Sequence, residues 1–122
     1  MYTKLESLVY TQTINIIMGR KVGIIGAGIG GLLACKYTLS KGYNPIVFEA
    51  LDKIGGVWAK TLTNSTKLQS PKSLYQFSDF PWPSNVEDNF PTGDQVLDYI
   101  KSYANHFDLL RHIRATLVMG YF

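Results

Sequence analysis

The sequence predicts an α/β fold built on a βαβ unit with a parallel sheet. Three observations carry this prediction: an apolar run at 22–25, a helix-like run at 32–39, and a second apolar run at 46–48 that ends at Glu49. Short apolar strands that alternate with a helix are typical of parallel sheets buried on both faces. The 122 residues are enough for one domain.

The elements have recognisable ends. Gly42 stands where a C-cap glycine belongs after the first helix, and the Asn44-Pro45 pair breaks the chain before the second strand. A second, amphipathic helix is predicted at residues 94–107, with Thr92 as its cap. Its apolar residues share one face and are expected to be core: Val96, Leu97, Ile100, Tyr103, Ala104 and Phe107. Residues 68–91 hold four of the five prolines and are predicted to be a loop, in which Trp82 packs.

The turn after the first strand has the glycine pattern G-x-G-x-x-G, with Gly26, Gly28 and Gly31 at the three fixed places. The first glycine permits a tight turn, the second lets a pyrophosphate approach the backbone, and the third allows the helix to pack closely on the sheet. Glu49 follows Gly31 by 18 residues and can accept hydrogen bonds from ribose hydroxyls. The sequence therefore predicts a Rossmann-like fold with a site for an adenine dinucleotide. This stretch does not distinguish FAD from NAD.

The segment after Glu49 favours FAD. Gly55, Gly56 and Trp58 complete a pattern, E-x5-G-G-x-W, that resembles the flavoprotein monooxygenases. Residues 77–81 (FSDFP), 89–91 (NFP) and 106–113 (HFDLLRHI) are similar to segments of the flavin-containing monooxygenases, especially the plant branch. The resemblance covers about residues 18–114, and the combination of motifs is much more specific than the glycine pattern alone.

This resemblance implies an enzyme that binds FAD, is reduced by NADPH, and transfers one atom of O2 to a soft nitrogen or sulfur nucleophile on a small molecule. It implies that Val57 and Trp58 lie along the flavin, and that Gln69 and Ser70 lie over the isoalloxazine ring, with Gln69 as the catalytic candidate. Gln69 departs from the asparagine that the family usually has there. It also implies a third parallel strand at 113–118, in the order 3-2-1. The expected cofactor-binding residues are Gly26, Ala27, Gly28, Ile29, Gly30, Gly31, Glu49, Val57, Trp58, Gln69 and Ser70.

Composition excludes several other classes. The net charge of +3 comes from scattered basic residues, so no nucleic-acid partner is expected. Cys35, the one cysteine, is predicted to be a buried structural thiol; His106 and His112 lack the spacing and companions of metal ligands, and no metal is expected. No apolar run has the length of a transmembrane segment, and a cytoplasmic location is expected.

Residues 1–17 are interpreted as an extension outside the fold, and residues 18–122 as a partial FAD-binding domain. In the alternative, residues 13–17 add an edge strand.

The sequence has no second dinucleotide motif and none of the family's F-x-G-x3-H signature. We therefore expect the chain alone to be inactive. A non-catalytic module that binds FAD or a protein partner is an alternative, and so is another flavoprotein with two dinucleotide sites, such as an amine oxidase or reductase. The 77–81 and 106–113 segments argue against the latter.

Overall fold

The structure is a computed structural model that describes residues 16–18, 20–60, 63 and 65–115. Its strands are β1 (Ile16–Met18), β2 (Lys21–Ile25), β3 (Asn44–Glu49) and β4 (Ile113–Ala115). Its α-helices are α1 (Ile29–Ser40), α2 (Val57–Lys60) and α3 (Gly93–His106), and short 3-10 turns occupy Lys72–Leu74 and Leu110–His112.

The sheet has the order β1-β2-β3-β4, and β2, β3 and β4 are parallel. Ile24 is opposite Val47, which is opposite Ile113. These are the three strands predicted from the sequence, in the predicted order. The third was expected over residues 113–118 and is described over Ile113–Ala115; residues 116–118 lie outside the described residues.

Strand β1 pairs with β2 antiparallel, with Ile16 opposite Gly23 and Ile17 opposite Val22. Ile16 and Ile17 thus lie in the sheet. For these two residues the structure agrees with the alternative, in which residues 13–17 add an edge strand, and not with an extension outside the fold. Residues 1–15 lie outside the described residues, and the division into an extension and a domain remains a prediction.

Helix α1 covers one face of the sheet by packing on β2 and β3. Val22, Ile24 and Val47 are buried beneath it, as are Leu32, Leu33 and Cys35 on the helix. The predicted helix was shorter at both ends. After the helix, Gly42 adopts a φ of +83° and donates its N–H to the Leu39 carbonyl, as expected of a glycine that ends a helix.

Helix α3 begins with the expected cap. Gln95 N–H donates to Thr92 Oγ1 at 3.2 Å, and Thr92 N–H donates to Gln95 Oε1 at 3.0 Å, which completes a capping box. The buried face includes Tyr99, which the sequence pattern did not pick out, whereas Leu97 is only partly buried. Tyr99 is buried because the loop at 67–92 folds back over this helix.

That loop is closed at its base. Leu68 N–H donates to the Pro91 carbonyl, and Gly93 N–H donates to the Thr66 carbonyl. Trp82 is buried under the loop, as predicted, and stacks on Tyr99 with ring centroids 4.0 Å apart. No helix in the described part of the chain has the length and hydropathy needed to cross a bilayer.

Candidate dinucleotide-binding site

The glycine loop connects β2 to α1 and is folded as tightly as the sequence pattern predicts. Gly26 has a φ of +92° and donates its N–H to the Phe48 carbonyl at 2.8 Å. A Cβ added at Gly31 would lie 1.7 Å from the carbonyl oxygen of Gly26. Any side chain at position 31 would therefore push α1 away from the loop.

Glu49 is buried at the end of β3, directly beside this loop, with 8% of its surface exposed. Its Oε1 accepts the backbone N–H of Ala27 at 2.8 Å, and its Oε2 accepts that of Leu51 at 2.8 Å. These are charge-assisted hydrogen bonds, and each carboxylate oxygen keeps acceptor capacity for a further donor. Glu49 thus fixes the glycine loop and can still accept a hydrogen bond from a hydroxyl group.

The second glycine pair packs on the first glycine motif. Gly55 N–H donates to the Ala27 carbonyl at 3.0 Å. Gly56 has a φ of +59°, and a Cβ added there would lie 3.1 Å from the Cα of Gly28. Two adjacent glycines allow the main chain to pass close to a neighbouring group. In the structure, the close approach is to the backbone of the glycine loop, so the pair completes the wall of the site.

Helix α1 begins at this loop without a side-chain cap. Its N-cap is Gly28, which has no side chain to accept a hydrogen bond, and its first turn has no acidic residue. The first N–H groups of a helix lack intrahelical partners and carry a partial positive charge. A pyrophosphate fits this position, because its oxygens can accept from these N–H groups. The uncapped helix and the buried carboxylate together have the donors and acceptors that an adenine dinucleotide needs.

Val57 and Trp58 form the first turn of α2, immediately after Gly56. Val57 is 65% exposed, whereas Trp58 is half-buried. The Trp58 indole Nε1–H donates to the Tyr75 hydroxyl at 3.0 Å, and the two rings meet edge to face with centroids 6.1 Å apart. Burial raises the pKa of the Tyr75 phenol, and the hydrogen bond from Trp58 lowers it by less.

Gln69 and Ser70 lie further along the chain, on the loop at 67–92. Gln69 is exposed, and its Nε2 donates to the Lys67 carbonyl at 3.3 Å; Ser70 is half-buried. The structure thus gathers Glu49 and residues 55–58 around the glycine loop, whereas the Gln69 amide contacts its own segment. The role of Gln69 and Ser70 at the flavin remains a prediction.

The side-chain contacts of two residues, Tyr75 and Asp79, were not predicted from the sequence. Tyr75 had no signal beyond being an aromatic residue in a proline-rich loop. Asp79 lies in the FSDFP segment, and its Oδ2 is 2.5 Å from Lys36 Nζ on α1. The carboxylate in that segment was the available signal for an ion pair.

Comparison with known proteins agrees with this geometry. The sequence model of a family described as flavin-binding monooxygenase-like matches residues 19–120. A protein of Arabidopsis thaliana named "Probable flavin-containing monooxygenase 1" is 52% identical over 95 residues, which are 77% of this chain and 18% of that protein. Flavin-containing monooxygenase 1 of Homo sapiens is 41% identical over 106 residues, 80% of this chain and 20% of that protein.

Among solved structures, a steroid monooxygenase bound to NADP superposes with a TM-score of 0.67 at 30% identity, over 75% of this chain and 18% of that one. The chain spans about a fifth of the length of the curated relatives it matches. The family match extends over most of the sequence and includes the glycine loop, Glu49 and the FSDFP segment. This chain belongs to the flavin-containing monooxygenase family.

Proposed function

We propose that this chain binds FAD as part of an NADPH-dependent monooxygenase. The pyrophosphate would lie against the N-terminus of α1, the adenosine ribose at Glu49, and the flavin along Val57 and Trp58. The observation that carries the proposal is the buried Glu49 carboxylate bonded to Ala27 beside an uncapped helix. The carboxylate can accept a hydrogen bond from a ribose hydroxyl, and the helix N-terminus can bind phosphate oxygens, so the two neighbouring features match two parts of FAD.

When bound, FAD would accept a hydride from NADPH and activate O2, so that one oxygen atom goes to a soft nitrogen or sulfur nucleophile and the other to water. The residues of this chain would bind and orient the cofactor. We propose that Gln69 and Ser70 face the isoalloxazine ring. Because Gln69 is exposed and bonded only weakly, at 3.3 Å, to Lys67, its amide is able to turn toward a ligand.

The proposal is tested by titrating the 122-residue chain with FAD and following flavin fluorescence and heat of binding. We expect saturable binding that ADP-ribose, which shares the pyrophosphate and adenosine, inhibits competitively. Glu49→Gln should weaken FAD binding by about tenfold to a hundredfold, the cost of losing a charge-assisted hydrogen bond.

The matched control is Glu87→Gln, which makes the same chemical change at an exposed glutamate of the loop. It should leave the affinity unchanged. Thermal unfolding of each variant separates a loss of ligand contacts from a loss of fold. If Glu49→Gln and Glu87→Gln chains bound FAD equally well, Glu49 would not hold the ribose; if the native chain bound no FAD at all, the proposed function would be wrong.

A further inference from the structure

The hydrogen bond between Trp58 and Tyr75 connects the proposed flavin site to the core of the molecule. Trp58 lies two residues after Gly56, which touches Gly28 of the glycine loop. Its backbone N–H donates to the Gly55 carbonyl at 3.2 Å. The backbone of Trp58 is therefore fixed beside the glycine loop, and under the proposed function its indole is part of the surface that a flavin would meet.

The backbone of Tyr75 is held in place by Trp82. The Trp82 indole Nε1–H donates both to the Tyr75 carbonyl, at 3.1 Å, and to the Lys72 carbonyl, at 2.9 Å. Trp82 in turn stacks nearly flat on Tyr99 of α3, with 14° between the ring planes. The backbone that carries Tyr75 is therefore attached to a buried helix.

Tyr99 attaches the same loop at two further points. Its hydroxyl donates to the Phe80 carbonyl at 2.5 Å and accepts the backbone N–H of Phe77 at 3.0 Å. The bonds made by Trp82 and Tyr99 therefore hold the loop backbone around Tyr75 in place. A residue that orients a ligand contact requires such support. The Tyr75 hydroxyl is consequently a fixed acceptor for the Trp58 indole.

We infer that Tyr75 is a positioning residue that fixes the Trp58 indole for FAD binding. Without the hydroxyl, the edge-to-face ring contact would remain, but the indole N–H would lose its acceptor and the ring would be free to rotate. Ordering that ring would then oppose ligand binding. The inference rests on the proposed function, because it assumes that FAD occupies the site beside Trp58.

The test uses the 122-residue chain with isotope-labelled tryptophan, which gives two indole N–H resonances in NMR spectra, from Trp58 and Trp82. Tyr75→Phe should move the Trp58 indole resonance in the direction of a lost hydrogen bond and leave that of Trp82 in place; Trp58→Phe assigns the two. FAD affinity should fall about threefold to tenfold in Tyr75→Phe, as for a lost neutral hydrogen bond.

A double-mutant cycle makes the test specific. If the hydroxyl acts through the indole, Tyr75→Phe should weaken binding in the native chain and have no effect in a Trp58→Phe background. Tyr43→Phe, which removes a hydroxyl at the opposite end of β3, is the matched control and should not change the affinity. Trp58→Phe alone removes the donor and should lower affinity even if Tyr75→Phe fails to fold.

The remaining outcomes distinguish the proposal that the chain binds FAD from the proposal that Tyr75 positions Trp58. FAD binding by the native chain with an affinity that neither variant lowers by more than about 1.5-fold would overturn the role of Tyr75 and leave FAD binding intact. A Trp58 resonance unmoved by Tyr75→Phe would show that the hydrogen bond is not made. A native chain that takes up no FAD would reject the proposed function and this inference with it.

Discussion

Glu49 lies at the end of β3, yet its two oxygens accept backbone N–H groups from Ala27, in another segment, and from Leu51. The sequence predicted the acid and its distance from the glycines, because the pattern is local. It could not predict the bond to Ala27, which depends on β2 and β3 pairing so that Ile25 is opposite Phe48. The role of Tyr75 could not be predicted from the sequence for the same reason, because Trp58 and Trp82 come close to Tyr75 only in the folded chain.

At Gly28 and Gly31 the structure separates a steric requirement of the fold from a requirement of the ligand. A methyl group at position 28 would lie 3.5 Å from the Gly56 Cα, an ordinary contact, whereas at position 31 it would overlap the Gly26 carbonyl. We expect Gly31→Ala to destabilise the chain by more than about 3 kcal/mol, since backbone must move. Gly28→Ala should fold but bind FAD at least about tenfold more weakly if the pyrophosphate approaches there.

Unfolding in urea and FAD titration check both variants. Gly42→Ala is the control, because position 42 is open and only its φ of +83° opposes a side chain, at a cost of about 1–2 kcal/mol. Normal FAD binding by a folded Gly28→Ala chain would refute the predicted role of Gly28, and a stable Gly31→Ala chain would refute the packing argument.

Cys35 on α1 is fully buried, and burial raises the pKa of its thiol from 9.0 to about 12. The folded chain should therefore resist alkylation by iodoacetamide at neutral pH. Because the thiol ionises more easily in the unfolded chain, its contribution to stability is fully present below pH 9 and is lost as the pH rises toward 12.

The measurement is the free energy of unfolding of the native chain and of Cys35→Ala over this pH range. The advantage of the native chain should shrink as the pH rises above 9. A constant difference between the two, or rapid alkylation of the folded chain, would contradict this prediction.

Between elements, two sets of contacts attach the loop at 67–92 to the helices. Helix α3 contacts the glycine pair, since a Cβ at Gly55 would lie 2.5 Å from Leu97 Cδ1, and it supports the loop through Tyr99. Helix α1 reaches the loop through Lys36 and Asp79. The helices themselves were predictable from periodicity and from Thr92. Their contacts with the loop were not, because proline-rich segments carry no periodic signal from which packing could be inferred.

The Lys36–Asp79 ion pair should contribute measurably to stability. Its side chains are only 19% and 32% exposed, and the Lys36 ammonium also lies 4.3 Å from the Tyr37 ring centroid. We expect Asp79→Asn to lower the free energy of unfolding by about 1 kcal/mol, near the upper end for ion pairs that are not fully buried.

Asp108→Asn is the control, because Asp108 pairs with Arg111 at a position where both side chains are 71% exposed. Such a pair contributes little, and its loss should cost less than about 0.5 kcal/mol. Equal effects of the two substitutions in urea unfolding would show that the Lys36–Asp79 pair does not hold the loop.

For the molecule as a whole, the parallel sheet is covered by α1 on one face, while Ile25 on β2 remains 47% exposed. The first two parallel strands were predictable, because buried strands and the glycine motif are strong local signals. The third strand and the strand order were expected only from the family resemblance. The antiparallel strand β1 was not favoured, since three apolar residues without alternating polarity give too little pattern to separate a strand from a tail. The available signal was the Gly19-Arg20 pair between Met18 and Lys21, because a glycine in a two-residue connection is typical of hairpins.

The chain on its own lacks features that the proposed reaction requires. Its sequence contains one dinucleotide fingerprint, whereas the proposed reaction needs NADPH as well as FAD. The residues expected beside the flavin are also open to solvent, since Val57 is 65% exposed and Gln69 is exposed. A flavin held there would be poorly shielded from water, which favours side reactions over transfer of oxygen to a substrate.

We therefore expect the 122-residue chain with FAD to oxidise NADPH no faster than free FAD does, and to form no S-oxide from an added thioether. The measurements are NADPH absorbance and chromatography of the thioether products, with free FAD and the Glu49→Gln chain as controls. NADPH oxidation coupled to S-oxide formation by the native chain, and reduced in Glu49→Gln, would show that one fingerprint suffices. It would also mean that solvent exposure at Val57 and Gln69 does not prevent the oxygenation step.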